Sequence, residues 1–292
     1  MSGTNALNNR RGILLLILAV ALFTGMDAAA KSLLQDYPAA QVIWVRFAGQ
    51  FLAVCLILRS RLRTEVKTAF PILHLFRSAT QFGATSFFFL SLTYIGLTEA
   101  TAIADINPVL ITLGAALFLG ERLTAARVIG VALSALGALI IIRPGFGAFT
   151  PGAVLPLLCA LSYAASALLT RHIGARESPW ASMFHASLFG ACAAGLALPW
   201  VWVPFASADL WLILLLACLG TAAQLALIRA FSVAEAAAIA PYSYIGLLFA
   251  AFYSFVLFDS LPDLMTIVGI LVIVGSGLYV WSRETPRTTR KS

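Results

Sequence analysis

The chain has 292 residues, 61% of them hydrophobic and 11% charged, with a mean hydropathy of +0.95. A soluble globular domain carries about 25% charged residues, so this composition excludes one and points to a chain that lives in lipid. The net charge of +7 does not indicate a nucleic-acid binder, because the bases are spread between apolar runs instead of gathered on one patch.

About 20 apolar residues carry a helix across the hydrocarbon core, where every backbone amide must be bonded internally. Windows of that kind follow one another at 13–34, 39–59, 70–92, 98–118, 124–143, 151–172, 179–200, 207–228, 233–257 and 262–282. The first is too long, and too directly followed by the second, to be a cleaved signal peptide. The predicted fold is all-α: a polytopic membrane protein of ten transmembrane helices.

Fifteen of the nineteen Lys and Arg fall in the two termini and in alternate connections, including Arg59, Arg61, Arg63, Lys67, Arg122, Arg127, Arg171, Arg176 and Arg229. The intervening connections hold Asp36, Glu99, Asp209, Asp259 and Asp263, with Lys31 and Arg143 the nearby bases. The positive-inside rule then puts both termini in the cytoplasm, which requires an even number of spans. Cys55, Cys159, Cys192 and Cys218 lie inside apolar runs without metal-ligand spacing, as small hydrophobes in helix packing do. No metal, cofactor or nucleic acid is expected.

The Pro-Gly-rich stretch from Arg143 to Gly152 is the seam between two halves, 13–143 and 151–282. Its Gly-x-Gly follows no predicted strand, so it reads as a turn. The halves repeat. Leu97-Thr-Glu-Ala-Thr-Ala-Ile-Ala104 and Val233-Ala-Glu-Ala-Ala-Ala-Ile-Ala240 agree at five of eight positions, with Pro108 shortly after the first and Pro241 after the second. Leu119-Gly-Glu-Arg-Leu123 and Leu257-Phe-Asp-Ser-Leu261 form a second pair, each preceding a helix rich in small residues: Gly130, Ser134 and Ala138, then Gly269, Gly275 and Gly277. Such residues let helix backbones approach closely in lipid. Internal packing of these two helices is the expectation, with a homodimer contact as the alternative, and a monomer is favoured. Five spans per half is an odd number, so the second half is inverted relative to the first.

Thr101-Ala-Ile, Asn107-Pro108, Leu119-Gly-Glu-Arg-Leu123, Gly130 and Gly137, with Lys31 and Trp44-Val-Arg46-Phe47, make a pattern similar to that of the EamA-type drug/metabolite transporter superfamily. The second half departs from it, with Phe258-Asp259-Ser260 where Gly-Glu-Arg is usual. Within the superfamily the chain looks most like bacterial amino-acid exporters of the YddG type. The resemblance implies two five-helix repeats forming a basket around a central cavity, with no need for ATP. Related members move vitamins, nucleoside derivatives and sugars.

Ionisable groups inside a span cost about 2.5–3.5 kcal/mol each on insertion scales, so they face a partner or a wet cavity. Asp27, Lys31, Arg46 and Asp105 fall at comparable depth in the outer half of spans 1, 2 and 4. Such a balanced set can neutralise itself, bind the two charges of a zwitterion or gate the outer mouth. His74, Arg77, Ser78, Gln81 and Thr85 make one polar stripe on span 3, which should face the bundle interior. Lys31, Trp44, Gln81, Asp105, Tyr242 and Tyr244 are the candidate substrate-binding residues. Asp27, Arg46, Arg77, His74, Pro108 and Pro241 are the candidates for gating or coupling, the two prolines as paired kinks. Trp180, Trp200, Trp202, Trp211 and Trp281 sit at span ends, where an interfacial belt belongs.

The residues contain no HExxH, no Walker A sequence and no nucleophile–base spacing among His74, His172 and His185. The expected function is secondary transport by alternating access: export of amino acids, aromatic or otherwise hydrophobic, across a bacterial inner membrane. An uptake or exchange carrier for another small metabolite is the alternative, with a channel behind it.

Overall fold

The computed structural model describes residues 2–118, 124–143, 151–173, 177–233 and 240–284. Among these there are helices and turns and no strands. The long helices are α1 (Ser2–Leu33), α2 (Ala39–Leu58), α3 (Pro71–Ser91), α4 (Leu97–Ala104), α5 (Asn107–Phe118), α6 (Ala125–Ile142), α7 (Leu155–Ile173), α8 (Pro179–Gly195), α9 (Leu210–Val233), α10 (Ile245–Phe258) and α11 (Leu264–Glu284). Among the described residues seven helical stretches are long and apolar enough to cross a membrane, and Tyr242–Phe258 is a shorter apolar one. Two expected spans fall outside that set for evident reasons. Helix α3 carries the polar stripe, and α8 has just 17 residues.

The fourth expected span, which falls within Leu97–Phe118, is interrupted by a two-residue turn just before Pro108. It is broken at Asp105 and Ile106, where α4 ends with the Asp105 N–H donating to the Thr101 carbonyl and α5 restarts on the Ile106 carbonyl. Pro108 sits in the first turn of α5, where its missing N–H costs nothing. On the other side of the seam, α10 is entered through a tight 3₁₀ turn, Ala240–Tyr244, that contains Pro241. The second copy of the octapeptide lies outside the described residues apart from its two ends, as do Leu119–Leu123.

Helix packing crosses between the halves. Helix α1 packs chiefly on α9, α3 on α7, α2 on α8, and α6 on α11. Exchanging α1 with α7, α2 with α8, α3 with α9, α4–α5 with α10, and α6 with α11 maps these contacts onto one another. The α1–α9 pair becomes α7–α3, and the lesser α2–α9 and α3–α8 pairs exchange likewise. The exchange relates two groups of helices, α1, α2, α9 and α10 and α3, α4, α5, α7 and α8, which are joined along the α2–α8 contact, with α6 and α11 forming a seam beside them.

That seam is where the small residues go. A Cβ on Gly137 would stand 3.0 Å from the Gly269 carbonyl oxygen, and one on Gly269 would stand 2.8 Å from that of Gly137. Buried Ser134 and Ser276 hydrogen-bond across it. The other face of α6 presents Val128, Ile129, Leu136 and Leu139 outward, half exposed, as a lipid-facing surface requires. At one end of the seam Arg143, in the left-handed region at φ 50°, pairs with Asp263. Asp263 also caps α11 by accepting from the Thr266 N–H at 2.9 Å.

The hydrogen bond from Arg143 and those from Thr266 hold the Asp263 carboxyl at about 2, below its ordinary 3.8. A carboxyl lowered on folding stabilises the fold above its unfolded value and stops doing so as pH falls through the folded one. Asp263→Asn is therefore expected to lower the melting temperature modestly at pH 7, with the gap to wild type closing between about pH 4 and pH 2. A gap that persists undiminished at pH 2 would show that the carboxylate charge is not what matters there.

Candidate functional site

The polar residues of the bundle separate into three places. At one end, where α1, α4 and α10 terminate, Lys31 donates from Nζ to the Ile95 carbonyl at 2.6 Å and the Leu92 carbonyl at 3.2 Å. Its ammonium also lies 5.5 Å from the centre of the Phe258 ring. Lys31 thus joins α1 to the α3–α4 connection and to α10. It borders a cavity of about 580 Å³ that Gln35, Leu97, Ser254 and Asp259 also line. Buried Thr98 and Ser254 bond α4 to α10 beside it, hydroxyl to hydroxyl, at 2.9 Å.

Trp44 belongs to the same end of the molecule but to a different group. It meets Trp202 edge-on at 6.2 Å, and Trp202 meets Phe205, which packs on Tyr37. Hydrogen bonds fix that group. The Tyr37 hydroxyl donates to Asp209 at 2.7 Å, and the Gln41 amide bonds both ways with the Val203 backbone at 2.7 and 3.0 Å.

At the opposite end, His74 is buried at 1% exposure and its Nε2 lies 3.1 Å from the Glu177 carboxylate. Glu177 also accepts from the Thr68 hydroxyl at 2.8 Å and the Ala69 N–H at 2.7 Å. Partial burial raises its carboxyl, but these three donors outweigh that and hold it below its ordinary value. The His185 ring stands 5.1 Å from that of His74. Arg77 donates to Thr170 at 2.7 Å and to the Ser182 carbonyl at 3.0 Å, tying α3 to both α7 and α8. Next to Glu177, Ser178 starts α8 ahead of Pro179 and donates to Glu65 at 2.7 Å. Glu177 and Glu65 were not singled out in the sequence. The available signal was an acid directly before a Ser-Pro helix start in an otherwise basic connection.

Between these ends lies the third place. Arg46 is 6% exposed, bonded through its guanidinium to Gln50 at 2.8 Å, and lies beside Gly220 of α9. Its charge acts on Asp27, one helix away. Asp27 and Asp105 are half-buried and Tyr163 is 37% exposed, so polar and aromatic surface stays accessible on α1, on α7 and at the α4–α5 break. Asp105 stands in the α4–α5 break, close enough for its charge to act on Cys159, Tyr163 and Tyr244. Gln81 lies on α3 facing α7, where its amide oxygen accepts from Ser166 at 3.2 Å. The Tyr244 hydroxyl is pressed against Gly277 of α11, whereas Tyr242 is 42% exposed.

Of the candidates read from sequence, Asp27, Arg46, Asp105 and Tyr244 therefore fall around the middle of the bundle, with Gln81 on its α3 wall. Lys31 and Trp44 lie at one end, and His74 and Arg77 towards the other.

The EamA-like transporter family matches the chain twice, over residues 10–143 and 150–282. The chain belongs to that family. The pseudopaline exporter CntI of Pseudomonas aeruginosa is 30% identical over 91% of this chain and 94% of its own length. An S-adenosylmethionine uptake transporter of Rickettsia felis is 23% identical over 96% of this chain and 95% of its own. A riboflavin transporter of Rhizobium johnstonii is 28% identical over 94% and 92%. A solved crystal structure shares the fold, with a TM-score of 0.66 and 18% identity over 92% of this chain and 95% of that one. This EamA protein is thus a multi-pass membrane transporter and not an enzyme. These relatives are not named for aromatic amino acids, so the YddG-type assignment does not follow from them.

Proposed function

We propose that this EamA protein is a secondary carrier that exports amino acids, aromatic or otherwise hydrophobic, across the bacterial inner membrane by alternating access. Ten spans, both termini in the cytoplasm and two inverted repeats at 13–143 and 151–282 form its frame. The observation that carries the reading is the charged middle of the bundle between two helix sets. Asp27 and Arg46 belong to one set, and Asp105, Gln81 and Tyr163 to the other.

Among the described residues, side-chain hydrogen bonds join the sets at both ends, while α2 and α8 pack along their length and form the pivot between them. Lys31 to the Leu92 and Ile95 carbonyls and Thr98 to Ser254 join them at one end, and Ser178 to Glu65 at the other. Breaking one end and keeping the other exposes the middle to one side of the membrane at a time, the arrangement expected of broken-helix carriers. Tyr163 offers an aromatic wall to a hydrophobic side chain.

A second reading, a carrier for another small metabolite such as a vitamin or nucleoside derivative, is favoured by what the relatives are named for. Counterflow in proteoliposomes separates the two. Saturable exchange of labelled phenylalanine, tryptophan or leucine is the expected result. Exchange of riboflavin or S-adenosylmethionine without any amino acid would reject the first reading in favour of the second.

A further inference from the structure

Charge accounting in the middle of the bundle says what chemistry the ligand must have. The sequence suggests two acids balanced by two bases, but in the structure both bases are engaged elsewhere. Lys31 is bound to two carbonyls at the end of α1. Arg46 is buried and bonded to Gln50. Asp105 is left. Its Oδ2 is fully buried and has no hydrogen-bond partner among the described residues.

The groups that face it bring no compensating charge. They are Cys159 and Tyr163 of α7 and Tyr244 of the turn before α10. Asp27 of α1, whose charge also reaches Cys159, has the same sign. Arg77 of α3 acts on Tyr163 but is bonded to Thr170 and Ser182. Helix α6 carries Arg127 near its start, and α11 carries Arg283 and Glu284 at its end, away from the break. An uncompensated carboxylate at this depth is strongly unfavourable unless a cation or a proton neutralises it.

We propose that Asp105 is the seat of a protonated amine on the transported molecule. The carrier then selects amine-bearing metabolites, cationic or zwitterionic, over anionic ones, and a proton occupies the seat when the amine leaves. The inference rests on the carrier reading for calling that ligand a substrate. Tyr163 supplies a ring face beside the ammonium.

Dicyclohexylcarbodiimide tests this on the purified full-length protein, since it adds to a protonated carboxyl in apolar surroundings and leaves an N-acylurea found by mass spectrometry. Asp105 is expected to be labelled. Phenethylamine and L-phenylalanine should each slow that labelling by about tenfold or more at saturation, as should raising the pH, while 3-phenylpropionate, which has the ring and chain but no amine, should not. Asp105→Asn should weaken phenethylamine binding by about tenfold in calorimetry, with Asp105→Glu retaining most of it.

No labelling at Asp105, protection by neither amine, or equal protection by 3-phenylpropionate would overturn the assignment, whether or not the variants fold. Amine protection in a protein that exchanges nothing across vesicles would instead sink the carrier reading and leave the amine seat standing.

Discussion

Gln50→Leu is expected to destabilise the protein more than Arg46→Met, although both break the same buried hydrogen bond. The amide left by loss of Arg46 is neutral. A guanidinium stranded by loss of Gln50 stays charged. Arg46 is 6% exposed, with Gln50 as its hydrogen-bond partner and its Nε without one among the described residues. Gln50→Leu should therefore cost about 1.5–3 kcal/mol, the scale of a hydrogen bond to a charged group, and Arg46→Met less. The double variant should recover most of the loss, because no buried charge then remains. Melting of detergent-purified protein followed by size-exclusion chromatography checks the order. A double variant no more stable than Gln50→Leu alone would mean that the two side chains are energetically independent.

The second large effect is expected in the seam. Gly137→Ala and Gly269→Ala each place a methyl group against the facing helix backbone, at 3.0 and 2.8 Å from a carbonyl oxygen. Backbone cannot swing aside as a side-chain tip can. Each substitution should cost about 1–3 kcal/mol, the range for overpacking a well-fitted interface, and should lower the yield of folded protein. Gly275, in the same helix α11, has open space where its Cβ would go. Gly275→Ala should be neutral or stabilising by about 0.5–1 kcal/mol, because glycine is a poor helix residue. Equal losses at all three positions would point to lipid-facing or insertion effects instead of seam packing.

Much of this arrangement is legible in the residues because the bilayer restricts the options so severely. The polar stripe of α3 had to face inward, and His74, Arg77 and Ser78 are buried against α7 and α8. The small residues of α6 and α11 had to meet another helix, and they meet each other. Pro108 marked an irregularity in its span, and the helix is interrupted at Asp105 and Ile106, just before it.

What was not legible depended on distant partners. Depth along a helix put Lys31 level with Asp105, but depth carries no information about azimuth. The carbonyls of Leu92 and Ile95 that hold Lys31 lie 61 and 64 residues away in the chain. Trp44 looked like a cavity wall until Trp202 supplied its partner from a connection that composition alone could not place. Glu177 escaped notice because its meaning lies in Thr68, Ala69 and His74, residues that come more than 100 positions earlier.

The exchange of helix contacts between halves also bears on how the molecule is made. The principal partners of α1, α2, α3 and α6 are α9, α8, α7 and α11, all of them synthesised after Arg143. The early helices must therefore reside in the membrane with their eventual interfaces facing lipid or the insertion machinery until the late ones arrive. During that interval Gly130 and Gly137 have no facing helix to fill their grooves, and Arg77 lacks both Thr170 and Ser182. Helix α11, the latest made of the described helices, closes the seam with α6 only after the other ten have emerged.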